Sequence, residues 1–460
     1  MKNKFLNLVF VMLVTFCLNA ESQLKQDDSQ RNILSRDNLK FLEGLARDVV
    51  DSSRIYPGQI ISSDFGPNST GGVLIRPGGR SCYPSFWIRD YAMSLESGFI
   101  SSEEQKHMLI LTASTQCDQP WITQGGSMIP FGAIADHICI DDKKPIYFPG
   151  TYSYVAQGNK VFGMVPPYDD QFFFIHMAYY YVTSAEDPYF LINEINGIRL
   201  IDRLEFSFRV PPSRQNNHIV YTTGEFRGVD FGFRDVIEIT GDLCFTSILK
   251  YRAAKELSEM YDLLKDSAKA DKYRLIAEKI RRAIPDLFLD QRGMLVASTG
   301  KSRQPDVWGT ALAVYLNILN ENNSQMACRT LADAYEKGTL SYKGNIRHIL
   351  TSDDFNDTTA WETSMAKKDT YQNGAYWGTP TGWVCYSIAK ADLALAQKLA
   401  NEYIDDLREN DFRKGPSFGA PYECFHSSGN RQNPVYMTTV TCPYIVFKLK
   451  NSVLMNPMGK

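Results

Sequence analysis

The sequence is poor in the features that mark metal, nucleotide and serine-nucleophile enzymes. Its 6 histidines contain no H-E-x-x-H and no closely spaced pair, so the ligands of an ordinary zinc site do not arrive together. Its 9 cysteines include no C-x-x-C, which excludes the usual zinc-ribbon and thioredoxin-like spacings. No phosphate-binding G-x-x-x-x-G-K-[ST] occurs, no G-x-G-x-x-G falls at a strand-to-helix junction, and Gly126-Ser127 is not a nucleophile elbow. Excess positive charge is also missing: 49 Lys+Arg face 52 Asp+Glu, a net charge of -3, so bulk electrostatic binding of nucleic acid is not expected. No metal and no cofactor is expected either.

Long apolar runs are confined to the start. Lys2 and Lys4 precede an apolar stretch from Phe5 to Leu18, followed by Asn19-Ala20, the order of a secretory signal peptide with cleavage near Ala20. Cys17 offers the alternative of a lipid-attachment cysteine, although Phe16 before it is bulky for that processing. No later segment has 18 consecutive apolar residues, so no membrane span is predicted, and the mature chain is expected to be secreted or periplasmic. Its eight cysteines, from Cys82 to Cys442, are widely spread and could be buried thiols or bridges.

What is present is a globular composition, 44% hydrophobic and 22% charged, with aromatics at 12%. At 460 residues a single core normally splits into domains unless the fold is a closed repeat. Apolar residues at i, i+3, i+4 spacing mark about twelve helices, and these fall in pairs. Short-linked members are predicted at 90–100 and 102–117, 169–183 and 187–205, 242–262 and 266–287, 305–320 and 323–336, and 380–390 and 392–409. A helix at 440–450 would pair with one at 37–51. Tight turns join the members of a pair, as at Ser101-Ser102 and Asn322-Asn323, while segments of roughly 15–50 residues join successive pairs. Six antiparallel pairs elaborated at one end describe an all-α (α/α)6 toroid, a single domain over 21–460, with all long loops at one mouth. The six tryptophans fall in those loops or in the first turn of the following helix, which predicts a ring-lined cleft.

The segment from Arg80 to Asp90 contains Trp87-Ile88-Arg89-Asp90 at the start of a predicted inner helix. A fixed carboxylate and guanidinium can grip two sugar hydroxyls while an indole covers the apolar ring face. This W-x-R-D sequence resembles that of the six-hairpin glycosidases, the superfamily of trehalases, glucoamylases, glucosidase I and exo-acting α-mannosidases. Further resemblances lie at Pro166 to Gln171, at Asn373 to Trp383, which is rich in Gly, Pro and Trp, and at Pro421 to His426. The resemblance implies a toroid glycosidase acting on an oligosaccharide or glycan. Its implied sugar contacts are Trp87, Arg89, Asp90, Asp170, Gln171, Trp377 and Trp383.

Glycoside hydrolysis needs one carboxylic acid to protonate the leaving oxygen and a second carboxylate to activate water or attack the sugar. In the superfamily the acid precedes the third inner helix, the base precedes the sixth, and the anomeric centre inverts. Glu423, the only acidic residue after Asp411, is the expected base. For the acid, relatives point to different residues: Glu238 is favoured, with Asp230 and Asp235 behind it. Asp136-His137 reads as a polar contact at the cleft floor. The expected substrate is an α-mannoside or α-glucoside end. The rivals are a toroid lyase or epimerase with a Tyr or His base, and a glycan-binding protein that has lost the acid.

Overall fold

The computed structural model describes residues 31–426 and 428–451. The expected signal peptide and Cys17 lie outside the described residues.

Twelve α-helices are present among the described residues: α1 (Arg36–Ser53), α2 (Ile88–Ser94), α3 (Ser102–Ser114), α4 (Asp169–Ser184), α5 (Leu200–Arg209), α6 (Cys244–Leu263), α7 (Ser267–Phe288), α8 (Val307–Tyr315), α9 (Glu321–Glu336), α10 (Thr381–Ala389), α11 (Leu393–Glu409) and α12 (Thr438–Lys450). The even-numbered helices pack in sequence order, α2 on α4, α4 on α6, α6 on α8, α8 on α10, α10 on α12, and α12 back on α2. That closed ring is the inner wall of an (α/α)6 toroid, and the odd-numbered helices pack outside it.

Residue pattern separates the two layers. Outer helices bury one stripe, as in α11 with Ala396, Leu399, Ala400, Tyr403, Ile404 and Leu407. Inner helices are far more buried, and every residue of α10 is buried. Five outer helices start on a side-chain cap, from Ser35, Ser101, Asn320, Asp266 and Asp392, and Ser101 with Glu104 forms a full capping box. None of the six inner helices has such a cap. Their amino ends, each carrying the positive end of a helix dipole, point toward the mouth, and acidic residues of α2 and α4 gather there.

One predicted helix is broken. Residues 187–205 form a 3₁₀ turn (Pro188–Ile192), a two-residue hairpin and then α5. Asn196 (φ 51°) and Gly197 (φ 74°) make the tight hairpin turn that interrupts the helical pattern. Of the six loops between pairs, all but the one from α7 to α8 carry similarly small antiparallel hairpins, and one three-stranded sheet joins Ser85–Trp87 to His137–Cys139 and then to Pro145–Ile146. The eight described cysteines are free thiols, seven of them buried. No described helix is long and apolar enough to cross a membrane.

Candidate active site

At the mouth the inner-helix amino ends and the loops enclose a cavity of about 340 Å³, lined by Trp87, Arg89, Asp90, Phe233, Asp235 and Glu423 among others. Its size is at the small end of ligand pockets, roughly 300–1,000 Å³.

Its aromatic wall is built by strand register. Trp87 pairs with His137 across the three-stranded sheet, and the two rings stack with centroids 4.2 Å apart. Tyr83 meets Trp87 edge-on at 5.0 Å and Tyr436 at 5.8 Å. Tyr152 and Phe162, from the long segment after Pro145–Ile146, close the side of the pocket.

Arg89 is the electrostatic hub. Its guanidinium lies 3.2 Å from Asp136, 3.5 Å from Asp170, 3.7 Å from Asp169 and 3.9 Å from Asp90. One cation cannot neutralise four buried carboxylates, so the group must hold protons. Burial pushes Asp136 up, but Arg89 and His137 outweigh it and hold this carboxyl below its usual range. Burial raises Asp169 and raises Asp170 further, with Asp169 adding repulsion at Asp170. Burial also lifts Asp90 to about 6, against the pull of Arg89 and of the Tyr436 hydroxyl, which donates to it at 2.6 Å. Asp169 accepts from the Gly232 backbone N–H at 2.9 Å, tying the loop before α6 to this hub. A Cβ at Gly232 would come within 1.9 Å of the Arg89 guanidinium, so any larger residue there would push Arg89 off its carboxylates.

That loop decides which of its carboxyls faces the pocket. Its anchor is Arg234, fully buried, which donates to Asp230 at 2.7 Å and to Asp306 at 2.6 Å. Asp230 is therefore spent on holding the loop and does not line the pocket. Asp235, the next residue after Arg234, lines the pocket and has one carboxyl oxygen with no hydrogen-bond partner. Burial pushes it up to about 7, with Arg89 acting against the shift and Asp136 and Asp169 adding to it. Glu238, the favoured acid, turns the other way: its side chain is 47% exposed, 4.0 Å from Arg227, in a separate surface depression. Backbone pairing of Ile237 and Glu238 with residues 363–364 sets this outward direction.

Glu423 lies in the hairpin Tyr422–Phe425 with Arg431–Pro434, directly across from Asn433. The Asn433 amide donates to one carboxyl oxygen at 2.5 Å and the Tyr83 hydroxyl to the other at 2.7 Å. Burial pushes Glu423 up to about 7; Tyr83 and Asn433 oppose this, and the charges of Asp90 and Asp235 reinforce it. Two carboxyls on separate loops thus face one pocket, both poised near neutrality.

The remaining expected contacts divide. Trp87, Arg89 and Asp90 line the pocket, whereas Asp170 stands behind Arg89 with neither carboxyl oxygen bonded. Gln171 is a buttress: its amide accepts from Ile134 N–H at 2.9 Å and donates to Ile134 and Pro167 carbonyls, fixing the segment that carries Asp136. Trp377 is fully buried and meets Phe233 at 5.5 Å and Tyr371 at 5.4 Å, backing the pocket wall without reaching the ligand space. Trp383 lines a different cavity at the far end of the bore. The ring-lined cleft is therefore made mainly by tyrosine and phenylalanine: Trp308, Trp361 and Trp377 are all core residues. Sequence reasoning missed Tyr83, Tyr371, Tyr436 and Asn433. Only the proximity of Tyr83 to the W-x-R-D motif gave any signal. No group of described residues forms a metal-binding cluster.

No family model and no curated protein matches the chain. Solved structures do. A GH63 mannosylglycerate hydrolase from Thermus thermophilus, in complex with glucose, is 12% identical with a TM-score of 0.54, covering 88% of this chain and 99% of its own. A rhamnosidase from Klebsiella oxytoca with rhamnose bound is 11% identical with a TM-score of 0.52, covering 91% of this chain, which spans 65% of that one. A further glycosidase is 11% identical with a TM-score of 0.52, covering 90% of this chain and 98% of its own. At such identities the likeness shows the fold alone, an (α/α)6 toroid that these three glycosidases share.

Proposed function

We propose that the chain is an exported glycoside hydrolase that removes a terminal α-linked sugar with inversion, Asp235 acting as general acid and Glu423 as general base. The observation that carries this reading is the pair itself: two buried carboxyls from different loops face one 340 Å³ pocket, each pushed up to about 7. Protonated Asp235 gives its proton to the glycosidic oxygen as the C–O bond breaks. Ionised Glu423 takes a proton from the water that attacks the anomeric carbon from the opposite face. Arg89 beside Asp235 stabilises the carboxylate left behind. The Tyr83 and Asn433 donors orient Glu423 and favour its charged form. Trp87 offers an apolar ring face, and Arg89 and Asp90 supply the polar grip on the sugar hydroxyls.

The pocket's size supports removal of one sugar from a chain end. α-Mannosides and α-glucosides are the preferred classes, and α-rhamnosides join them because one similar structure is a rhamnosidase. Export rests on residues 1–20 alone. A lyase or epimerase using tyrosine is disfavoured, because burial pushes the Tyr83, Tyr371 and Tyr436 hydroxyls well above their ordinary range and no histidine lines the pocket. The test is hydrolysis of α-glycosides by wild type, Asp235→Asn and Glu423→Gln: both variants should lose hydrolysis of substrates with alkyl or sugar leaving groups, and retained activity in either would remove it from its role.

A further inference from the structure

The loop that carries Asp235 is gripped by a side chain from a distant segment. Gln372, fully buried, belongs to the loop between α9 and α10, 136 residues beyond Val236. Its side-chain oxygen accepts from the Val236 N–H at 2.9 Å, and its side-chain nitrogen donates to the Gly232 carbonyl at 3.1 Å. These contacts fall on either side of Asp235 in the chain, so one amide clamps the backbone that aims this carboxyl.

Both ends of the clamp are themselves held. The Gly232 N–H is taken from the other side by Asp169 of α4 at 2.9 Å. Behind Gln372, the Trp361 indole N–H donates to the Gln372 carbonyl at 3.2 Å. The Asn373 side chain accepts from the Ala360 N–H at 3.0 Å and donates to the Ala366 carbonyl at 2.8 Å. Arg347, also fully buried, donates to the Gly374 carbonyl at 2.8 Å. Arg234 anchors the loop before Asp235, through Asp230 and Asp306, and Gln372 supplies a hold after it, at Val236.

The bridge needs an amide. One group must present an acceptor to a backbone N–H and a donor to a backbone carbonyl, on a stem long enough to span them. Methionine would fill the space but leave both backbone groups unpaired in a buried site. An ionised glutamate would still accept from Val236 but would set an oxygen against the Gly232 carbonyl. Gln372 also acts on Asp235 directly: burial raises that carboxyl, and the amide, like Arg89, favours its charged form.

We infer that Gln372 is a positioning residue for the acid, holding Asp235 at the pocket by bridging Gly232 and Val236. The inference rests on the hydrolase reading in which Asp235 gives the proton.

The test compares wild type, Asp235→Asn, Gln372→Met and Gln372→Glu on an α-linked disaccharide and on the 4-nitrophenyl α-glycoside of the same sugar, across pH. Gln372→Met should lose about 10²-fold in kcat on the disaccharide, the cost of a group displaced by about 1 Å. The 4-nitrophenyl glycoside, whose leaving group needs no proton, should keep most of its rate. With the amide donor gone, Asp235 holds its proton to higher pH, and the alkaline limb of kcat/KM should move up by about one pH unit. Arg89, Asp136, Asp169 and Glu423, whose charges act with or on Asp235, are unchanged in both Gln372 variants. Gln372→Glu supplies a rescue: its carboxyl, once protonated, again donates to Gly232, so its disaccharide rate relative to wild type should rise as pH falls. Circular dichroism checks both folds, and Gln372→Glu decides alone if Gln372→Met does not fold. Where Asp235→Asn shows the loss that depends on leaving group, equal losses on both substrates by the Gln372 variants, or an alkaline limb that stays in place, overturn the inference and leave the hydrolase reading standing. Equal losses on both substrates by Asp235→Asn remove the acid role itself, and the inference falls with it.

Discussion

Glu423→Gln should cost the protein its activity and stabilise its fold at alkaline pH. Burial lifts this carboxyl from 4.5 to about 7, with Tyr83 and Asn433 opposing and Asp90 and Asp235 reinforcing. A carboxyl whose folded value is raised contributes its full stability below the unfolded value of 4.5 and loses it as pH climbs through about 7. The gap corresponds to about 3 kcal/mol lost by pH 9 relative to pH 4. Glutamine does not ionise, and it retains an oxygen to accept from Tyr83 or Asn433. The variant's unfolding free energy, measured in urea, should therefore gain on wild type by up to about 3 kcal/mol between pH 4 and pH 9, most of it between pH 5 and 8. Parallel pH profiles for the two proteins would refute the claim that Glu423 is held against the cost of burying its charge.

Other substitutions separate the remaining roles. Asp235→Asn should slow hydrolysis of disaccharides by about 10²–10⁴-fold while sparing much of the rate on 4-nitrophenyl glycosides, whose leaving group needs no proton; equal losses on both would contradict the acid role. Glu238→Gln, at an exposed side chain outside the pocket, should leave kcat/KM within about twofold in the same assay. Asp230→Asn breaks the buried pair with Arg234 and should lower unfolding free energy by about 3 kcal/mol in denaturant titrations. Tyr83→Phe removes a donor that favours ionised Glu423, so the acidic limb of the kcat/KM profile should move up by about one pH unit.

The toroid was legible because its signals are local. Helical periodicity, side-chain caps such as Ser101 with Glu104, and tight turns all lie within a few residues of one another. The 187–205 segment failed where Asn196-Gly197 at positive φ overrode an apolar spacing that also suits a helix. Glu423 was legible as the candidate base because it has no acidic competitor nearby. The candidate acid was not, since Asp230, Asp235 and Glu238 lie within nine residues, and what sorts them by their access to the pocket is Asp306 reaching back 72 residues to Arg234. Trp383 shows a similar limit: its motif places it in the first turn of α10, but only the packing of the ring shows that it faces the far end of the bore. Gln171 likewise reads as a sugar contact until its amide is seen to be occupied by Ile134.

The central claim is that Asp235 and Glu423 cooperate in one hydrolytic step. It is tested most directly by proton NMR of the first sugar released from α-mannosides, α-glucosides and α-rhamnosides, run on wild type and on the Asp235→Asn/Glu423→Gln double variant. Release of the β-anomer by wild type and none by the double variant is the predicted result. Release of the α-anomer, or undiminished release by the double variant, would contradict it.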